Sequence, residues 1–142
     1  NKGGLKKRSD LLEHAEYGFE SDKDLGCHPA EVVQAVCHSV VTVDAQLKGD
    51  FMETAALEES GWTLQADGHL SCKDKRGRRS FKVLQRLPFQ ASLKRMCVIG
   101  TFQREPGAGT SLLVTMKGAP ETVFGYLQKS SDNFETWYNI TH

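Results

Sequence analysis

Apolar residues first recur at helical spacing after Pro29. Val32, Val33, Val36, Cys37 and Val40 form one stripe, with Glu31 in the first turn. This predicts a helix with a single buried face. His38 and Ser39 fall at its edge, and His38 reads as a partly buried, hydrogen-bonded helix residue. Lys48-Gly49 breaks the chain. Asp50 then stands where it can cap a second helix, and Glu53, three residues on, completes a capping box. Met52, Ala55 and Ala56 of that helix are expected to face the core. Weak alternation over residues 61–66 predicts a strand, Asp67-Gly68 a hairpin turn, and residues 69–72 the return strand. Residues 73–79 are basic and broken by Gly77, which reads as a solvated loop tip. Next, Phe81, Val83 and Gln85 alternate with Lys82, Leu84 and Arg86, placing the two sets on opposite faces of a strand.

Residues 95–102 predict another strand, and Pro106-Gly107-Ala108-Gly109 turns the chain into a further one over 110–116. Antiparallel pairing of these two brings residues 89–94 and Lys117 to the same end of the sheet. Pro120 takes a helix first-turn position, where its missing N–H costs nothing, and Val123, Phe124 and Leu127 form that helix's apolar face. Asp132 and Glu135 make another possible capping box, and Phe134, Trp137 and Tyr138 follow at helical spacing as core aromatics. Residues 1–26 are polar, with Leu11, Leu12 and Phe19 scattered. They read as a linker or hinge-proximal loop with one short helical turn. No internal repeat or low-complexity tract interrupts the pattern. The sum is an α+β domain over residues 1–142, with an antiparallel sheet of about six strands flanked by helices.

Composition narrows the class. The 142 residues suffice for one domain with a real core, and 39% hydrophobic with 25% charged residues is a folded, globular balance. Eighteen basic residues balance eighteen acidic ones, which argues against a dedicated nucleic-acid binder. No apolar run approaches the ~20 residues of a membrane helix, so the chain is expected to be soluble and monomeric as it stands. Cys27, Cys37, Cys72 and Cys97 are dispersed, and read as buried free thiols in a reducing compartment. Cys27-His28 and Cys37-His38 do not fit a usual zinc frame.

The chemistry concentrates in Lys117-Gly118-Ala119-Pro120-Glu121, between the last predicted strand and a helix. Lys117 is a cation at a strand end beside a helix N-terminus, a seat for an anion. Gly118 lacks a Cβ and lets a ligand approach the backbone. An ordinary strand-to-helix turn with a surface lysine is the plainer reading of these five residues alone.

Three stretches in order carry a resemblance. Lys-Gly-Ala-Pro-Glu at 117–121 resembles the nucleotide-domain signature of P-type ATPases. Residues 87–98, Leu-Pro-Phe-Gln-Ala-Ser-Leu-Lys-Arg-Met-Cys-Val, are similar to that family's Phe-(x)n-Lys-x-Met-x-Val segment. Gly49-Asp50-Phe51-Met52-Glu53-Thr54-Ala55 resembles its Gly-Asp-Pro-x-Glu-x-Ala helix start, with Phe51 in place of the proline. The helix carrying Cys37-His38-Ser39 is also similar. The resemblance implies an ATP site without a P-loop: Phe89 stacks on adenine, Glu53 accepts from its amino group, Lys94 and Lys117 serve the ribose-phosphate side, Met96 is an apolar wall and Gly118 leaves room.

The family's phosphorylated Asp-Lys-Thr-Gly and its Gly-Asp-Gly-x-Asn-Asp segment do not occur in these 142 residues. The resemblance therefore implies a domain that binds ATP (Mg-ATP in the parent enzyme) and does not itself turn it over. Its partners would be the phosphorylation and transmembrane domains of the parent chain, with the two termini of the insertion close together. Leu93-Lys94-Arg95-Met96 and residues 134–138 are similar to the fifth class, endoplasmic-reticulum branch, which resembles a dislocase of misinserted transmembrane helices. The parent would then face the cytosol from that membrane. Residues 58–62 lean toward the sister branch of lysosomal polyamine transporters. A reading of another class is a protein- or RNA-interaction module that uses the basic loop at 73–79.

Overall fold

The computed structural model describes residues 25–126. Within them the chain runs α1 (Pro29–Val36), β1 (Val41–Val43), β2 (Gln46–Lys48), α2 (Phe51–Ser60), β3 (Thr63–Leu64), β4 (His69–Asp74), β5 (Gly77–Gln90), β6 (Arg95–Gln103), β7 (Thr110–Gly118) and α3 (Pro120–Phe124). Strands β3 to β7 form one antiparallel sheet in sequential order, and β1 and β2 form a separate hairpin. The expected α+β architecture holds. Among the described residues there are seven strands, five in the main sheet and two in the β1–β2 hairpin, which the sequence pattern did not predict. The expected elements at residues 1–24 and 127–142, and the proximity of the termini, lie outside the described residues.

Helix α1 ends sooner than its apolar stripe predicts. Cys37 is its C-cap, and Val40 is buried beyond it, on the way into β1. His38 is accordingly off the helix and fully buried, not partly buried within it. In α2, Asp50 caps as expected, its carboxylate accepting from the Met52 and Glu53 N–H groups. The inward stripe differs from the expected one. Met52 is 73% exposed and Ala55 is exposed, while Leu57 is buried and Glu53, Ala56 and Ser60 are half-buried. Positions 53, 56, 57 and 60 share one helical face, so the inward stripe begins at a carboxylate.

The Asp67-Gly68 turn is formed, with Gly68 N–H donating to the Gln65 carbonyl. Residues 73–79 are the ends of β4 and β5 around a tight turn rather than a loop. Lys73, Lys75, Arg76, Gly77 and Arg78 are exposed, as a solvated tip requires, but Arg76 and Arg79 fold back onto carboxylates. Arg79 is 1% exposed and donates to Asp74 and toward Cys72 Sγ, while Arg76 bridges Asp74 and Glu31 of α1. A buried charge needs partners, and Asp74 and Glu31 supply them.

Strand β5 corrects the expected alternation. Val83 pairs with Gly100 but Gln85 pairs with Ile99, so Leu84 is an extra residue in a β-bulge. The bulge shifts the phase by one. Arg86 joins Phe81 and Val83 on the inner face, opposite the buried Val98, and Gln85 turns outward. A second irregularity lies between Leu87 and Gln90, where Pro88 and Phe89 together oppose Met96. Proline, which cannot donate to a ladder, is at home in such a bulge.

Helix α1 packs on α2 and on β7. Between these helices and the sheet lies the core, which includes Leu25, Val32, Val36, Cys37, Leu57, Trp62, Phe81, Met96, Val98 and Phe102. Gly100 has to be glycine there: a Cβ would stand 2.3 Å from the Phe81 ring. All four cysteines are free and buried.

Candidate functional site

Strands β5, β6 and β7 end together. Phe89 with Pro88 opposes Met96, and Met96 pairs with Lys117, so the three residues lie in one row across three strands. The β6–β7 pairing and the shared sheet end match the expectation from sequence. Phe89 is 60% exposed, so its ring is available at the surface. Met96 is the opposite case: it is buried in the core, and its carbonyl accepts from Cys37 Sγ.

Lys94 sits in the turn between β5 and β6 with φ 49°, a left-handed conformation seldom taken by a residue with a Cβ. That turn brings its carbonyl onto the next strand, where it accepts from the Ala119 N–H at 2.9 Å. Gly118 is needed for this contact, because a Cβ there would meet the Lys94 carbonyl oxygen at 2.5 Å. The close approach that Gly118 permits is thus to the neighbouring strand's backbone. The Lys94 ammonium stands 3.3 Å from Glu121 Oε1, and both side chains are largely exposed. Arg95 lies over the Tyr126 ring, 4.7 Å from its centre, and donates to its hydroxyl.

Glu53 is the residue that joins the helices to this row. It does not close the expected capping box. Oε1 faces Lys117 Nζ at 3.3 Å, and Oε2 accepts from the Ser39 backbone N–H at 3.0 Å. Each carboxylate oxygen has two lone-pair sites, so a further donor can still be accepted. Glu53 and Lys117, with Ala30, Val33, Gln34, Met52 and Ala56, line an open groove of about 520 Å³.

Behind Glu53, the Ser39 N–H is held by its neighbours. His38 Nδ1 accepts from the Val40 N–H at 3.1 Å, and the His38 carbonyl accepts from Arg86. Burial, and after it the Arg86 charge, lower the His38 pKa to about 4. The ring is therefore neutral and carries its proton on Nε2. That atom is buried with no hydrogen-bond partner among the described residues. Arg86 is itself desolvated, which lowers its pKa. Sequence reasoning missed Ser39 and Arg86. A backbone N–H leaves no mark in a sequence, and the bulge that turns Arg86 inward has no local signal.

The profile of the family described as P-type ATPase, cytoplasmic domain N, matches residues 27–136. The chain belongs to that family. A probable manganese-transporting ATPase, PDR2, of Arabidopsis thaliana is 36% identical over 106 residues, covering 73% of this chain and 8% of the relative. The probable cation-transporting ATPase 13A4 of Mus musculus is 29% identical over 130 residues, 80% of this chain and 10% of the relative. The endoplasmic reticulum transmembrane helix translocase spfA of Aspergillus fumigatus is 32% identical over 114 residues, 73% of this chain and 9% of the relative. This N domain thus spans about a tenth of the length of these relatives. The resemblance to P-type ATPases, and among them to endoplasmic-reticulum translocases, is met by these matches. Among the described residues, no helix is long and apolar enough to cross a membrane.

Proposed function

We propose that this N domain binds ATP and presents it to an aspartate in a separate phosphorylation domain of the same parent chain. Phe89 is the adenine platform, Glu53 the acceptor for the adenine amino group, and Lys94 and Lys117 the cations on the ribose-phosphate side. Met96 backs the site from the core, and Gly118 holds the two lysine-bearing strand ends together. The parent would be a membrane ATPase using Mg-ATP at the cytosolic face of an intracellular membrane. Relatives named as endoplasmic reticulum helix translocases favour that membrane and a dislocation role. Relatives named as cation-transporting ATPases favour the second reading, cation transport by the same cycle.

The observation that carries the proposal is the exposed ring of Phe89 in one row with Met96 and Lys117, where Glu53 meets Lys117. A ring placed for packing would be buried; this one is open to solvent, which supports the stacking role. The internal ion pairs of Arg76 and Arg79 weaken the RNA or protein-module reading, since these charges are already satisfied within the fold.

Calorimetric titration with ATP and AMP tests the assignment. Phe89→Ala is expected to lose about 1–3 kcal/mol with both ligands, because both present the same base. Its melting temperature should change little, as the ring is mostly exposed. Normal ATP binding by this variant would remove Phe89 from the site. Steady phosphate release by the purified wild-type chain would contradict a purely nucleotide-binding domain.

A further inference from the structure

Building on the adenine role of Glu53, we infer that Arg86 is a positioning residue for adenine recognition, acting through the His38–Ser39 turn. The chain of contacts is continuous. Leu84 bulges out of β5, and the phase shift turns Arg86 to the inner face. There its guanidinium donates to the His38 carbonyl. The same residue's ring accepts from the Val40 N–H, so both sides of the Ser39 peptide are tied. Ser39 itself is exposed, yet its N–H points at Glu53 Oε2.

The physical need is plain. Glu53 starts the inward stripe of α2, and a glutamate side chain has several rotatable bonds to freeze. Lys117 cannot fix it alone, because an ammonium on a flexible stem is a poor orienting group. A backbone N–H with a fixed direction can. It pins one carboxylate oxygen, while the other meets Lys117, and both residues line the groove. That N–H keeps its direction only while the turn does, and the turn is anchored to the sheet by Arg86. The sheet bulge and the base-reading carboxylate are therefore one unit, and Arg86 need not touch nucleotide to matter.

This role separates from a general packing role through the ligand's 6-amino group. ATP carries that group, and purine riboside 5′-triphosphate lacks it while keeping the ring and phosphates. Arg86→Met keeps the aliphatic stem and deletes the donor. We expect it to weaken ATP roughly five- to tenfold, about what one lost orienting hydrogen bond gives. Affinity for the analogue should stay within about twofold. Arg86→Lys should recover part of the ATP loss, and Arg86→Met should add nothing further to Glu53→Gln. If Arg86→Met proves too unstable to titrate, Ser39→Pro removes the pinning N–H directly and should give the same split between ligands.

Equal losses on both ligands, or no loss on ATP, would overturn the positioning role. Failure of the underlying reading looks different. There the wild-type chain would not bind ATP, or would bind it no better than the analogue, and both proposals would fall together. A wild type that prefers ATP and loses that preference with Glu53→Gln but keeps it with Arg86→Met sinks only the present inference.

Discussion

His38 shows how much one ring can constrain. It is buried and neutral, with a pKa lowered to about 4, first by desolvation and next by Arg86. Lys117 adds to the lowering, and Glu53 and the Ala35 carbonyl oppose it. In the unfolded chain a histidine takes up its proton near 6.5. Between those values the unfolded state binds a proton that the folded state refuses. Stability is therefore intact above about pH 6.5 and falls as pH drops toward 4, by about 3 kcal/mol over the window. Asp74 adds a separate loss only at lower pH, since Arg79 and then Arg76 hold its carboxyl well below the usual 3.8. Urea midpoints measured across this range should slope in the wild type and flatten in His38→Gln. Parallel slopes in the two proteins would show that another group governs the acid limb.

At the scale of elements, the β4–β5 hairpin is held by charge as much as by apolar packing. Arg79 is 1% exposed, and its guanidinium is shared among Asp74, Glu31 and the Cys72 sulfur. Deleting it leaves two carboxylates facing an emptied site. Arg79→Ala should cost on the order of 3 kcal/mol, read as a lowered urea midpoint at pH 7. A loss under about 0.5 kcal/mol would place the cluster among ordinary surface ion pairs.

The same hairpin marks what a sequence can and cannot disclose. Its Asp67-Gly68 neighbour was legible because glycine at that position selects a tight turn. The direction of Arg76 and Arg79 was not, because their partner Glu31 lies 45 or more residues away. The β1–β2 hairpin escaped notice for a local reason. Its turn residues, Asp44 and Ala45, both take positive φ, and an alanine there gives no turn signal. The sheet end that gathers Phe89, Met96 and Lys117 was legible, since one antiparallel pairing fixes it. Glu53 was legible as a candidate, but not its partners: its ties to Ser39 and Lys117 depend on how α2 lies on the sheet.

For the whole molecule, the order β3-β4-β5-β6-β7 means that each strand pairs with its sequence neighbours, and the described helices α1 and α2 contribute to one core on the inner face. The four buried thiols divide along that geometry. Cys27, Cys37 and Cys72 belong to the inner core, whereas Cys97 is buried on the other face, in the row of Leu87 and Met116. A thiol reagent reaches such atoms only when the packing around them gives way. The molecule thus carries its own clocks, two sets reading opposite sides of one sheet. In pulsed alkylation followed by mass spectrometry, Cys97 should be modified first, and the inner three later and at a common rate. Saturating ATP should slow the inner three in proportion to its occupancy of the folded state. Modification of Cys37 ahead of Cys97 would instead mean that the α1 side lifts from the sheet before the sheet itself comes apart.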